Sequence, residues 1–169
     1  MDMLGLVIEM IILGLDLSIT ETGYCVYHLE KKNIVEKGTI KSDKKNFDDE
    51  DGLDRFIFIK NTIELLIKKH SVDTVCMEGF SFGSKGQAIF QIAGMSYMVR
   101  YALFTFGMDY MVVPPTVLKK FVCGKGNVKK ELMILNAYKK WKISFDNNNE
   151  CDAFALVKYY EDSIKGGIK

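Results

Sequence analysis

Ile11-Ile-Leu-Gly-Leu-Asp16-Leu-Ser-Ile-Thr-Glu-Thr-Gly23-Tyr-Cys-Val-Tyr27 is the stretch on which the reading of the whole chain turns. An unbroken apolar run up to Asp16 suits a strand buried on both faces in the middle of a sheet. A polar turn follows, and then a second strand of alternating character. A carboxylate at the end of a buried strand costs several kcal/mol, on the order of the effective penalty for a desolvated ion, unless a cation or hydrogen-bond donors meet it. Asp16 also suits a plain turn residue, with Gly23 supplying a positive φ. The later acids decide between these readings.

The 169 residues are expected to form one domain, residues 1–169, with residues 1–9 as an N-terminal extension before an alternative start at Met10. A 48% hydrophobic and 27% charged composition excludes disordered and fibrous classes. Lys plus Arg number 23 against 22 acids, so overall charge gives no argument for nucleic acid, and only its distribution can. Cys25, Cys76, Cys123 and Cys151 lie far apart without a C-x-x-C pair and mostly inside apolar runs. They read as buried thiols in a reducing compartment, not as a zinc site or disulfide framework. The apolar N-terminus is interrupted by Asp2 and Glu9 and lacks a basic n-region, so a cytoplasmic protein with no membrane partner is expected.

Taken in order, residues 24–29 and 34–40 alternate around a polar turn at 30–33, giving with the first strand an antiparallel three-stranded meander. Apolar residues at helical spacing predict a helix from Leu53 to His70, with His70 a solvated cation at its C-terminus. Val72 to Met77 is a second apolar strand, and it too ends on an acid, Glu78. A glycine-rich loop carrying Phe80 and Phe82 leads into a helix over residues 87–106 that is apolar on nearly all sides. Such a helix packs within its own domain on one face and either there or against a second subunit on the other. Residues 108–113 read as a third buried strand, stopped by Pro114-Pro115, and short helices follow over 116–122 and 128–140. Across those helices Lys119, Lys120, Lys125, Lys129, Lys130, Lys139 and Lys140 stand against Glu131 alone, forming either a solvated face or a phosphate-binding one. The last helix, over 151–164, has Asp152 in its first turn, where Asn149 and Asp152 match the spacing of a capping box.

These elements give an α/β fold, a mixed sheet made of the antiparallel meander plus parallel strands, with helices on both faces. If the two acid-ended strands are neighbours, Asp16 and Glu78 meet at one edge, and a helix across that edge adds Asn149 and Asp152 at i, i+3. Clustered acids call for hard divalent cations, and an oxygen-only ligand set points to Mg2+ or Mn2+. Two such ions about 4 Å apart are the arrangement used for in-line displacement at phosphodiesters, with water as nucleophile.

The ordered phrases Gly14-Leu-Asp16-Leu-Ser18, Met77-Glu78-Gly-Phe80, Pro114-Pro-Thr-Val-Leu-Lys119-Lys, Gly124-Lys-Gly126-Asn-Val-Lys129-Lys130 and Glu150-Cys-Asp152-Ala-Phe-Ala-Leu156 resemble the RuvC family of Holliday-junction resolvases. Their short, divergent character looks most like the phage-encoded members, which would place the protein in a bacterial host cytoplasm. The resemblance implies an RNase H-like fold, a homodimer through helix 87–106, and metal-dependent cutting of four-way DNA junctions by paired nicks. It implies catalytic and metal-binding roles for Asp16, Glu78 and Asp152. Lys119, and Lys130 or by a one-residue slip Lys129, would meet phosphates. Phe80 or Phe82 would be the aromatic inserted at the junction centre, and Lys120 and Lys125 complete the DNA face. One departure stands out: where the family often has an acid three residues before its last catalytic Asp, this chain has Asn149, with Glu150 and Asp146 as nearby substitutes. Broader cutting of forks and flaps, or junction binding without cutting, are the alternatives.

Overall fold

The computed structural model describes residues 9–47, 52–80 and 87–166. Strands β1 (Ile11–Asp16), β2 (Glu21–His28), β3 (Asn33–Lys41), β4 (Thr74–Glu78) and β5 (Tyr110–Val113) form one sheet in the order β3-β2-β1-β4-β5. The first three pair antiparallel, whereas β4 runs parallel to β1 and β5 parallel to β4. The expected mixed sheet is therefore present, and the apolar run that opens the chain is its central strand.

Period-2 alternation sorts the strand residues between two cores. Leu13, Leu15, Val26, Val75 and Met77 point to α1 (Leu53–His70) and α2 (Gln87–Thr105). Ile12, Cys25, Tyr27 and Cys76 point the other way, to α3 (Pro115–Cys123), α4 (Lys130–Trp141) and α5 (Asn148–Gly166). Helix α1 keeps its expected bounds because Phe56, Ile59, Ile63, Leu66 and Ile67 bury one stripe and Ser71, in the left-handed region, ends it.

Three expectations are corrected here. Residues 108–113 do not form a buried strand: β5 is a four-residue edge strand whose Tyr110 is exposed and whose only fully buried residue is Val113. Short edges of this kind limit unwanted strand pairing. His70 is not a solvated cation, since its ring lies 2.7 Å from Glu36 Oε2. Lys69 and the Tyr24 hydroxyl also donate to Glu36, and the Lys69 bond leads these contacts in holding its carboxyl down at about 2. This network ties α1 to the exposed strand β3. The third correction concerns the start of α5, which begins at Asn148, so Asp152 stands in its second turn.

Candidate active site

Asp16 is the last residue of β1 and Glu78 the last of β4. The parallel register pairs Leu15 with Met77, so Asp16 and Glu78 come next, side by side on adjacent strands. Both have the parity of Ile12, Gly14 and Cys76, and therefore both stand on the face that α5 covers. Two buried strands thus end on neighbouring carboxylates at one edge of the sheet, beneath a helix.

Glycines let that helix come close. A Cβ on Gly14 would lie 2.0 Å from the Ala153 carbonyl oxygen, and one on Gly23 would lie 2.2 Å from that of Asn149. Gly23 is the cross-strand partner of Asp16, so the first turns of α5 rest directly on the strand ends that carry the acid. Asn149, Asp152 and Ala153 share a helix face by their spacing. Burial pushes the Cys123 thiol up, and the charge of Asp152 pushes it further, while Lys119 acts in the opposite sense. Asp152 therefore lies on the flank of α5 toward Cys123, the last residue of α3. Burial, then Asp152, likewise raises Cys151 to about 12. Cys25, Cys76 and Cys151 are buried and all four cysteines are free thiols, as expected.

The side-chain cap comes from a different residue, Asn147, three positions before Glu150. Asn147 Oδ1 accepts from the Glu150 backbone N–H at 2.9 Å, and Asn147 Nδ2 reaches back to Glu150 Oε1 at 3.3 Å. Asn149 and Asp152 are thereby released from the capping role. Glu150, buried, is ion-paired with Lys37 of β3, and Asp146 lies 3.8 Å from the same ammonium. Both substitutes for a fourth metal ligand are directed toward β3. Asn149 remains, and its amide nitrogen donates to Glu21 Oε2 at 3.4 Å. Glu21, an acid on the α5 face by its parity with Gly23, was not singled out from sequence because nothing local links it to a residue 128 positions away.

The lysines divide. Strand β5 pairs with β4 up to Val113 opposite Glu78, and the Gly79 N–H donates to the Val113 carbonyl at 2.9 Å, so α3 starts beside the acids. A Cβ on Gly126 would lie 3.0 Å from the Thr116 carbonyl, which brings the Lys125–Lys129 turn back over the start of α3. Lys119 is half-buried there, and Lys120, Lys125 and Lys129 are exposed. Lys130 opens α4, and nothing is described of its side chain. Lys140 leaves the expected basic face: its ammonium sits 3.8 Å from the Phe121 ring centroid and donates to the Phe121 carbonyl at 2.9 Å. Phe80 is half-buried with its ring 6.5 Å from that of Tyr97, and Phe82 lies outside the described residues, as do residues 1–8 of the suggested extension.

The model of the family "Crossover junction endodeoxyribonuclease RuvC" matches residues 12–157. The chain belongs to the RuvC family. The RuvC of Brachyspira hyodysenteriae is 26% identical over 166 residues, covering 95% of this chain and all of the relative. The Thermus thermophilus RuvC structure superposes with a TM-score of 0.76 at 19% identity, over 94% of this chain and 97% of that one. Fowlpox virus resolvase, solved with its substrate Holliday junction DNA, gives 0.57 at 18% identity, over 92% and 99%. The fold is RNase H-like. Among the described residues no helix is long and apolar enough to cross a membrane.

As a test for a divalent ion, the donor chemistry fits: the carboxylates of Asp16, Glu78 and Asp152 and the carboxamide of Asn149 are hard oxygen donors. Among the described residues no three His, Cys, Asp or Glu side chains converge as a metal-holding group.

Proposed function

We propose that this RuvC-family chain is a metal-dependent, structure-specific DNA endonuclease that resolves four-way junctions by paired symmetric nicks. Water attacks the phosphodiester and leaves a 5′-phosphate and a 3′-hydroxyl. The observation that supports this most is the pair of acid-ended parallel strands, in adjacent register and on one face, under a helix seated on glycines. Asp16, Glu78, Asp152 and Asn149 would hold Mg2+ or Mn2+, in all two ions per site, and bound divalent ions supply charge stabilisation and a more acidic water. Lys119, on α3 beside the strand ends, neutralises a phosphate next to the cut, and Lys130 or Lys129 a further one. Lys120 and Lys125 extend that contact along the backbone, and Phe80 or Phe82 unstacks bases at the junction centre. Asn149 gives the set one negative charge fewer than an acid would, so one ion is held more weakly.

The test is incubation with end-labelled junctions, forks and flaps in Mg2+ or Mn2+. Ligatable paired nicks confined to the four-way junction are expected; equal cutting of forks and flaps would make the chain a broader branched-DNA nuclease. Binding without cutting would make it a junction-binding protein.

The exposed lysines carry a second expectation. Neutralising Z phosphates gives a log–log salt slope of about −0.9Z, so removing Lys125 and Lys129 together should flatten the slope by about 2. Fluorescence anisotropy at several salt concentrations measures this.

Helix α2 supports assembly as a homodimer. It buries Met95, Val99 and Leu103 against the sheet and leaves Phe90, Tyr97, Tyr101 and Phe104 exposed at 78%, 60%, 69% and 77%. Aromatic anchors on one helix face are what a second copy would cover. Tyr101→Glu with Phe104→Glu is expected to turn a dimer into a 19.2 kDa monomer in sedimentation equilibrium. An unchanged mass would place any dimer elsewhere.

A further inference from the structure

Beside Glu78, at the same edge of the sheet, lies a cavity of about 210 Å³. Its apolar walls include Leu17, directly after β1, Phe80, and Ile89 and Ile92 of α2. Among the described residues that line it, Ser96 is the polar side chain besides Glu78. Ser96 is 2% exposed and, among the described residues, its Oγ has no hydrogen-bond partner. Buried hydroxyls are almost always paired, because an unpaired one loses its water without compensation. Within α2 an alanine would fill this position at no such cost and with better helix propensity. A hydroxyl held at a net loss among the described residues is free to meet a ligand that enters the cavity.

We propose that this cavity receives one nucleobase of the strand being cut, unstacked from its neighbours, and that Ser96 Oγ hydrogen-bonds its edge. The assignment rests on the nuclease reading above and deepens it by naming how a cut position is chosen. Three features fit a base better than other occupants. The cavity adjoins the acid that faces the scissile phosphate, so a nucleotide next to the cut is the group within reach. The walls are apolar and partly aromatic, suited to a flat π-face. The single hydroxyl both donates and accepts, so it reads one polar edge. Extrusion is least costly where pairing is already broken, as at the branch of a junction.

The test uses junctions carrying 2-aminopurine at each position within a few nucleotides of the cut, bound by the full-length Asp16→Asn protein. One position is expected to brighten as its base leaves the stack. Adding Ile92→Trp, which fills the cavity, should abolish that signal and weaken junction binding by the contacts of that one base. Since a filled cavity can also upset packing, Ser96→Ala gives an independent reading in the otherwise wild-type chain. It should raise Tm, because the unpaired hydroxyl is gone, and reduce the preference among bases at that position by about tenfold, the scale of one lost base contact. A rise in Tm with an unchanged preference would mean that the hydroxyl binds water only, and would overturn the assignment. So would the absence of any brightened position in a protein that binds and cuts junctions normally. A wild type that neither binds nor cuts would instead remove the nuclease reading, and this assignment with it.

Discussion

Asp16→Asn is expected to lower the junction-cleavage rate by on the order of 10²–10³, the scale of losing one group aimed at developing charge. Junction affinity without metal should stay equal or become tighter. The substitution is isosteric, so β1 keeps its place at the centre of the sheet between β2 and β4. What changes is charge. Asp16 and Glu78 are consecutive neighbours in the parallel register, and a phosphate approaching them meets two negative groups. Removing one lessens repulsion with DNA and, under the proposed function, takes away an oxygen ligand for a divalent ion. Thermal melting separates these effects without any cutting assay. Adding Mn2+ should raise the wild-type Tm, because an ion that binds only the folded state stabilises it, and should leave the variant nearly unmoved. Equal Mn2+-dependent shifts in both proteins would remove Asp16 from the metal site.

Much of this arrangement was legible from local pattern. The apolar runs ending at Asp16 and Glu78, the hairpin around residues 30–33 and the helix from Leu53 to His70 each carry their signal within a few residues. The start of α5 was not legible, because Asn147-Asn-Asn149 offers a cap three residues before Glu150 and another three before Asp152. Sequence spacing fits both. The choice is made by Lys37, whose ammonium holds Glu150 from a strand more than a hundred residues earlier. The same limit explains β5: Tyr-Met-Val-Val reads as buried, but its exposure follows from lying last in the strand order, which no local pattern encodes. His70 looks solvated beside two lysines until α1 is laid against Glu36 of β3. Lys140 belonged to a continuous basic run in sequence, yet the turn between α3 and α4 folds it onto Phe121. In each case the missing information is which distant element packs alongside. That matters for the site as well, since with Asn147 doing the capping Asn149 is not needed as the cap.

Gly14→Ala should be the most damaging single methyl in the chain. On the page of the sequence Gly14 is one small residue in an apolar strand, but its added Cβ would meet the Ala153 carbonyl oxygen at 2.0 Å and Val157 Cγ2 at 2.9 Å. Both atoms belong to α5, and the nearer one is backbone, so no rotamer change relieves the clash. The helix must retreat from β1. Overpacking of this kind costs about 1–3 kcal/mol, which chemical denaturation measures directly. The activity loss should exceed what a smaller folded fraction explains, because Asp152 precedes Ala153 and moves with it. A displacement of about 1 Å at a catalytic group can cost about 10²-fold, so cleavage by the fully folded variant should fall by that order. Val157→Ala removes only the side-chain part of the contact and is expected not to rescue. Gly166→Ala, at the far end of the same helix with nothing within 4 Å of the new Cβ, should change neither property. If Gly14→Ala cuts junctions at the wild-type rate once its folded fraction is accounted for, then the spacing of α5 over β1 does not set the site, and Asp152 is held by something other than this glycine seat.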